Sequence, residues 1–99
     1  MKYLTLSADY IDYSLKDDSG EPLDRALIPS DVLGELRAWN ADYQSIILLS
    51  VEERASQDVF DKIQHLDVRG VSLAAIVADS VSGAPKVTYY SEGLLRRLQ

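Results

Sequence analysis

An apolar series in the second half of the chain constrains the fold more than any other feature. Val59, Ile63, Leu66, Gly70, Leu73, Val77 and Val81 recur at every third or fourth position, the spacing that lines side chains along one face of an α-helix. Unbroken from Val51 to Val81, that helix is ~45 Å long at the usual rise per residue. In a chain of 99 residues such a helix leaves space for one core only, so a single domain over 1–99 is expected. Ser50-Val51-Glu52-Glu53 reads as a capping box at its start, with Ser50 at the cap and Glu53 three residues on. Gly83 and Pro85 are stop signals. Gly70 is either a break between two helices or a small residue where another helix packs close.

The flanking segments read as strands and a second helix. Lys2–Ser7 alternates Tyr3 and Thr5 with Leu4 and Leu6, the period of two of a strand. Tyr10–Leu15 also alternates, with Ile11, Tyr13 and Leu15 on one side, and is either a second strand or an extended loop. Lys16–Arg25 is polar, with Gly20 and Pro22 as turn formers. A first helix starts near Ser30, the expected cap, and carries the stripe Val32, Leu36, Trp39, Tyr43. Gly34 inside it costs about 1 kcal/mol relative to alanine and so marks a candidate close contact. Ser45–Leu49 loses the helical period and reads as a buried linker or short strand. Lys86–Ser91 is strand-like, and the tail Glu92–Gln99 packs down through Leu94, Leu95 and Leu98. A strand returning after helices prefers a parallel crossover beside the first. The expected fold is α/β: a small sheet of N- and C-terminal strands with two helices, the second long, packed on one face.

Composition narrows the function classes. There is no cysteine, which removes disulfides, thiolate metal sites and cysteine nucleophiles. No apolar run approaches the ~20 residues of a membrane span, and no secretory signal opens the chain. A cytoplasmic protein is expected. The formal net charge is −6, and Asp9, Asp12, Asp17, Asp18, Glu21 and Asp24 face only Lys2 and Lys16 in the first 24 residues. That field repels nucleic acid and anionic membrane and attracts a cationic partner; it also serves solubility.

The residues of catalysis are missing from their usual contexts. His65 is the only histidine and sits between Asp61 and Arg69 at helical spacing, as on a solvated face. The serines lack the GxSxG and SxxK contexts. Asp17-Asp18-Ser19-Gly20-Glu21 lacks the alternating ligands of a calcium loop and reads as a hydrated turn. Gly34, Gly70 and Gly83 are isolated and form no phosphate loop. No catalytic residue, metal or cofactor is expected. What remains is a binding surface, with Asp9, Tyr10, Asp12, Asp17, Asp18, Glu21 and Asp24 as the candidate partner-binding residues, because tyrosine supplies rigid contact area and carboxylates dock Lys and Arg. Tyr10 and Tyr13 also have a plain core reading, Tyr13 the more so because it shares a face with Ile11 and Leu15.

The MKYLTLSADY start, Trp39-Asn40 followed by Tyr43 and Ile46-Ile47, Glu52-Glu53-Arg54, Asp67 and Gly70 followed by Leu73, and the terminal KVTYYSEGLLRRL together resemble a small bacterial immunity protein. The type meant neutralises toxins of contact-dependent growth inhibition and related polymorphic toxin systems. The resemblance covers nearly the whole chain and implies one cognate protein toxin, commonly a basic nuclease, whose active site or substrate groove is masked. The candidate acids would then pair with toxin Lys and Arg. A second candidate surface is the outer face of helix two, with Glu52, Glu53, Asp58, Asp61 and Asp67. Two other classes compete: a housekeeping homodimer self-associating through Trp39, Tyr89 and Tyr90, and a hydrolase that uses carboxylates.

Overall fold

A computed structural model describes residues 3–83 and 85–98. Lys2 and Gln99, which the expected first strand and tail include, lie outside the described residues. The element order is β1 (Tyr3–Ser7), β2 (Ser14–Asp17), α1 (Ser30–Ile47), α2 (Gln57–Ser80), β3 (Lys86–Ser91) and β4 (Arg96–Arg97). The sheet runs β2-β1-β3-β4. β1 and β3 pair in parallel, with Leu4 beside Val87 and Leu6 beside Tyr89. β2 and β4 flank them antiparallel. The α/β architecture is the one expected, because both strands that meet in parallel are separated by helices long enough to cross over.

One face of the sheet builds the core. Leu4, Leu6, Leu15 and Tyr89 are buried beneath the helices, while Tyr3, Lys16 and Lys86 on the alternate positions are exposed. α1 contributes Val32, Leu36, Trp39, Tyr43, Ile46 and Ile47, and α2 contributes Ile63, Leu66, Leu73, Ala74 and Val77. α1 continues through Ile47, so Ser45–Ile47 is helix and not the expected linker or strand. Ile46 and Ile47 extend the Trp39–Tyr43 stripe by three and four residues, which helical packing absorbs. Ser30 makes no capping bond and is the first residue of α1, preceded by Pro29.

The capping box at Ser50 is present but caps a different element. Ser50 N–H donates to Glu53 Oε1 at 3.0 Å and Glu53 N–H to Ser50 Oγ at 3.2 Å, and these bonds hold the Glu53 carboxyl below its usual range. They close a 3-10 turn at Glu53–Ala55, after which Ser56 caps α2 by accepting from Val59 N–H at 3.3 Å. Arg54, in that turn, donates to the carbonyls of Leu49, Ile47 and Glu92 and ties the tail to the interhelical connection.

α2 is unbroken at Gly70. The close neighbour is the Tyr89 ring on β3, not α1: a Cβ on Gly70 would stand 2.3 Å from Tyr89 Cε1. Gly34, by contrast, faces open space. The Tyr89 hydroxyl reaches Asp67 on the flank of α2. Asp67 is 5% exposed. Its Oδ1 accepts from Tyr43 Oη at 2.8 Å and Tyr89 Oη at 2.6 Å, and its Oδ2 accepts from Ser91 Oγ at 2.7 Å. Tyr43 Oη in turn accepts from Gly93 N–H at 2.9 Å. Trp39 packs edge-on to Tyr43 and donates its indole N–H to Leu66 O at 2.8 Å. Asp67 is thus a buried hydrogen-bond hub and does not belong to the outer face of α2.

Substitution of the two helical glycines separates backbone preference from packing. Gly34→Ala is expected to stabilise by roughly 0.5–1 kcal/mol. Gly70→Ala, which must displace a buried aromatic ring, is expected to destabilise by about 2–4 kcal/mol. Chemical denaturation of both variants checks this; equal effects would contradict the Gly70–Tyr89 contact.

The tyrosines predict alkaline lability. Burial pushes the Tyr43 hydroxyl up to about 12 and the Tyr89 hydroxyl upward in the same direction. Below pH ~10 both side chains are protonated in the folded and the unfolded chain. Above it the unfolded chain ionises first, so stability falls by ~1.4 kcal/mol per pH unit per tyrosine until the folded groups ionise in turn. Denaturation midpoints measured from pH 8 to 11.5 should fall steeply above pH ~10, and Tyr89→Phe should lessen the slope by one proton.

Candidate protein-binding site

The candidate residues lie on the segment that leaves β1, returns as β2 and runs on to α1. Residues 8–13 form a bent loop at the C-terminal end of β1, so Tyr10–Tyr13 is loop and only Ser14 onward is strand. Asp9 Oδ1 accepts from Tyr10 N–H at 2.8 Å, and Asp12 Oδ1 from Tyr13 N–H at 2.9 Å. Aspartates that bond neighbouring amides in this way stabilise turns over strand pairing. α1 clamps the loop from below. The buried Asn40 accepts from Asp9 N–H at 2.9 Å, and Gln44 Nε2 donates to Asp9 O at 2.7 Å.

At the other end of β2 a tight turn reverses the chain. Asp17 Oδ1 accepts from the amides of Ser19 and Glu21 at 2.9 and 3.0 Å, and Gly20 supplies a left-handed residue at φ +83°. Pro22 and Leu23 then run back along β2, with Leu23 N–H donating to Leu15 O at 2.9 Å. Asp24 Oδ1 accepts from Ala26 N–H at 2.9 Å. Arg25 pairs with Asp12 Oδ2 at 2.7 Å, which raises its pKa, and lies 5.2 Å from the centre of the Tyr13 ring.

The six acids therefore form two groups. Asp9 and Asp12 lie in the loop that leads into β2, and Asp24 follows Leu23, which pairs beside Leu15 towards that same end of the strand; Asp17, Asp18 and Glu21 surround the turn at the other end, ~10 Å away by strand geometry. Lys16 lies on the strand between them. Tyr10 is exposed, whereas Tyr13 is buried. Its hydroxyl is the one buried side-chain polar atom without a hydrogen-bond partner among the described residues, and desolvation raises its pKa.

Ile11 departs most from the sequence reading. Alternation sets it inward beside Tyr13 and Leu15, yet it is fully exposed. The signal that would have corrected the alternation is the pair of aspartates at 9 and 12, both turn formers, on either side of Tyr10-Ile11. The self-association face of Trp39, Tyr89 and Tyr90 is not assembled, because Trp39 and Tyr89 have no exposed surface.

No family model matches this chain, and no curated protein or solved structure is significantly similar to it.

Elsewhere on the surface, a groove of about 780 Å³ runs between α2 and the C-terminal turn, with Phe60, Val68, Val71, Leu94 and Leu98 as walls and His65 and Arg96 beside them. Among the described residues, no three His, Cys, Asp or Glu side chains converge as metal ligands would. No helix among them is long and apolar enough to cross a membrane.

The clamp from α1 is testable without a partner. Asn40→Ala should cost about 1–2 kcal/mol, because it leaves the Asp9 amide without its acceptor. Hydrogen exchange at Asp9 and Tyr10 should quicken while β1 and β3 stay protected; unchanged exchange would mean that α1 does not hold the loop.

Proposed function

We propose that this chain is a non-catalytic binding protein of the immunity type, which neutralises a cognate toxin domain by seating its acidic β1–α1 segment in a basic substrate groove. The observation that carries this reading is preorganisation. Asp9, Asp12, Asp17 and Asp24 each accept a nearby backbone N–H, so their carboxylates are oriented before any partner arrives. Charges fixed in advance lose less freedom on association and steer a cationic partner through the encounter. The net charge of −6 adds a long-range attraction of the same sign, and the resemblance to immunity proteins points to the same partner class. On this reading the protein acts in the cytoplasm, needs no cofactor and works by excluding the toxin's anionic substrate.

The test uses the C-terminal domain of the large protein encoded beside this one, where an immunity gene's toxin is expected. Co-expression should relieve growth arrest by that domain, and the purified pair should form a complex; failure of both would overturn the reading. Asp18 and Glu21 make no side-chain hydrogen bond among the described residues, so Asp18→Lys with Glu21→Lys leaves the fold unburdened. This double variant should associate ~10-fold more slowly at low salt and approach the parent at high salt, as electrostatic steering requires.

A further inference from the structure

The loop between β1 and β2 presents an apolar tip to water. Ile11 is 101% exposed and Tyr10 is 61% exposed, and the two are adjacent in the bend of the loop. Isolated apolar side chains are common on protein surfaces. This pair differs because the backbone that carries it is held. Asn40 and Gln44 on α1 bond the main chain of Asp9, Asp12 bonds the main chain of Tyr13, and Arg25 pairs with Asp12 at the surface. With Asp9 and Tyr13 on either side of it bonded in this way, the bend presents an Ile11 side chain that packs on nothing within its own chain. Rigid, protruding apolar residues ringed by polar groups are the anatomy of an interface anchor.

We propose that Tyr10 and Ile11 form a plug that enters a narrow apolar recess on a protein partner, while the carboxylates of Asp9 and Asp24, which carry no salt bridge among the described residues, meet lysines or arginines around the rim of that recess. The inference rests on the proposed function, which supplies a basic protein partner, and goes beyond it by assigning the binding energy to an uncharged pair. The acids at the base decide the occupant's chemistry. They repel an anionic bilayer, and two apolar residues are too few to anchor a chain to lipid. They are satisfied by a cationic protein surface. The plug and the acids have separate roles: charges govern the rate of encounter, and the desolvated anchor governs the lifetime of the complex.

The experiment measures association and dissociation rates of the neighbouring toxin domain against the parent, Ile11→Ser, Ile11→Leu and Tyr10→Ser, with sedimentation of the parent alone. Ile11→Ser should melt within roughly 2–3 °C of the parent, because Ile11 supports no core contact. It should bind ~30–100-fold more weakly, almost wholly through faster dissociation, as loss of an interface anchor does. Ile11→Leu, which refills the recess, should recover most of the affinity. If the parent binds and Ile11→Ser binds within ~2-fold of it, the plug is overturned while the proposed function stands. If the parent does not bind the toxin domain, the proposed function fails and the plug with it. If the parent alone forms oligomers that Ile11→Ser abolishes, the recess belongs to a second copy of this chain and the proposal is overturned.

Discussion

A buried carboxylate, for which no cationic partner stands among the described residues, organises this fold. Asp67 gathers the hydroxyls of Tyr43 from α1 and of Tyr89 and Ser91 from β3, while both salt bridges of the described residues, Arg25–Asp12 and Arg69–Asp42, lie at the surface. A carboxylate taken out of water is costly unless its lone pairs are satisfied. Three short hydroxyl bonds meet that need and require three elements to arrive in one arrangement. An apolar stripe alone is less exacting, because a helix sliding one turn along a sheet presents a similar stripe. The Asp67 hub removes that freedom, since a shift by one turn would strand the carboxylate and three buried hydroxyls together.

The packing around the hub follows from it. Gly70 is one helical turn beyond Asp67, and its lack of a side chain lets the Tyr89 ring lie against α2 with its hydroxyl at the carboxylate. Trp39 fills the remaining space between Tyr43 and Tyr89, with ring centres 5.7 and 6.0 Å away. Trp39 also reaches the Leu66 carbonyl on α2, so the two helices and β3 lock at one point. Tyr43 Oη receives the Gly93 amide, which brings the tail into the same network.

The same constraint reaches the candidate binding site through α1. Asn40 and Gln44 come directly after Trp39 and Tyr43 along the helix, and they hold the main chain of Asp9. The hub sets where α1 lies, and α1 sets where the Tyr10–Ile11 tip stands. The acids divide between that tip and the Asp17 turn because β2 pairs with β1 and carries the two bends to opposite ends of the strand. A candidate surface carried on backbone that is bonded in this way would lose less freedom on association.

Much of the architecture was legible from periodicity. The stripe from Val59 to Val81, the Val32–Tyr43 stripe and the alternation in Tyr3–Leu6 and Val87–Tyr90 sufficed for two helices, their buried faces and a parallel pair of strands, because local spacing decides which side of an element is apolar. The acidic character of the first 24 residues was likewise plain. The capping box was chemically correct at Ser50, but whether a cap opens a long helix or a single turn depends on the residues after it, and Ser56 recaptured the start of α2. Burial of Asp67, the partner of Gly70 and the exposure of Ile11 were decided only by tertiary structure. Each depends on residues distant in the chain: Tyr43, Tyr89 and Ser91 for Asp67, Tyr89 for Gly70, and Asn40 and Gln44 for the loop that turns Ile11 outward. Periodicity reports which face of an element is apolar, and only the assembled chain determines which polar groups meet across the core and which apolar side chain is left in water.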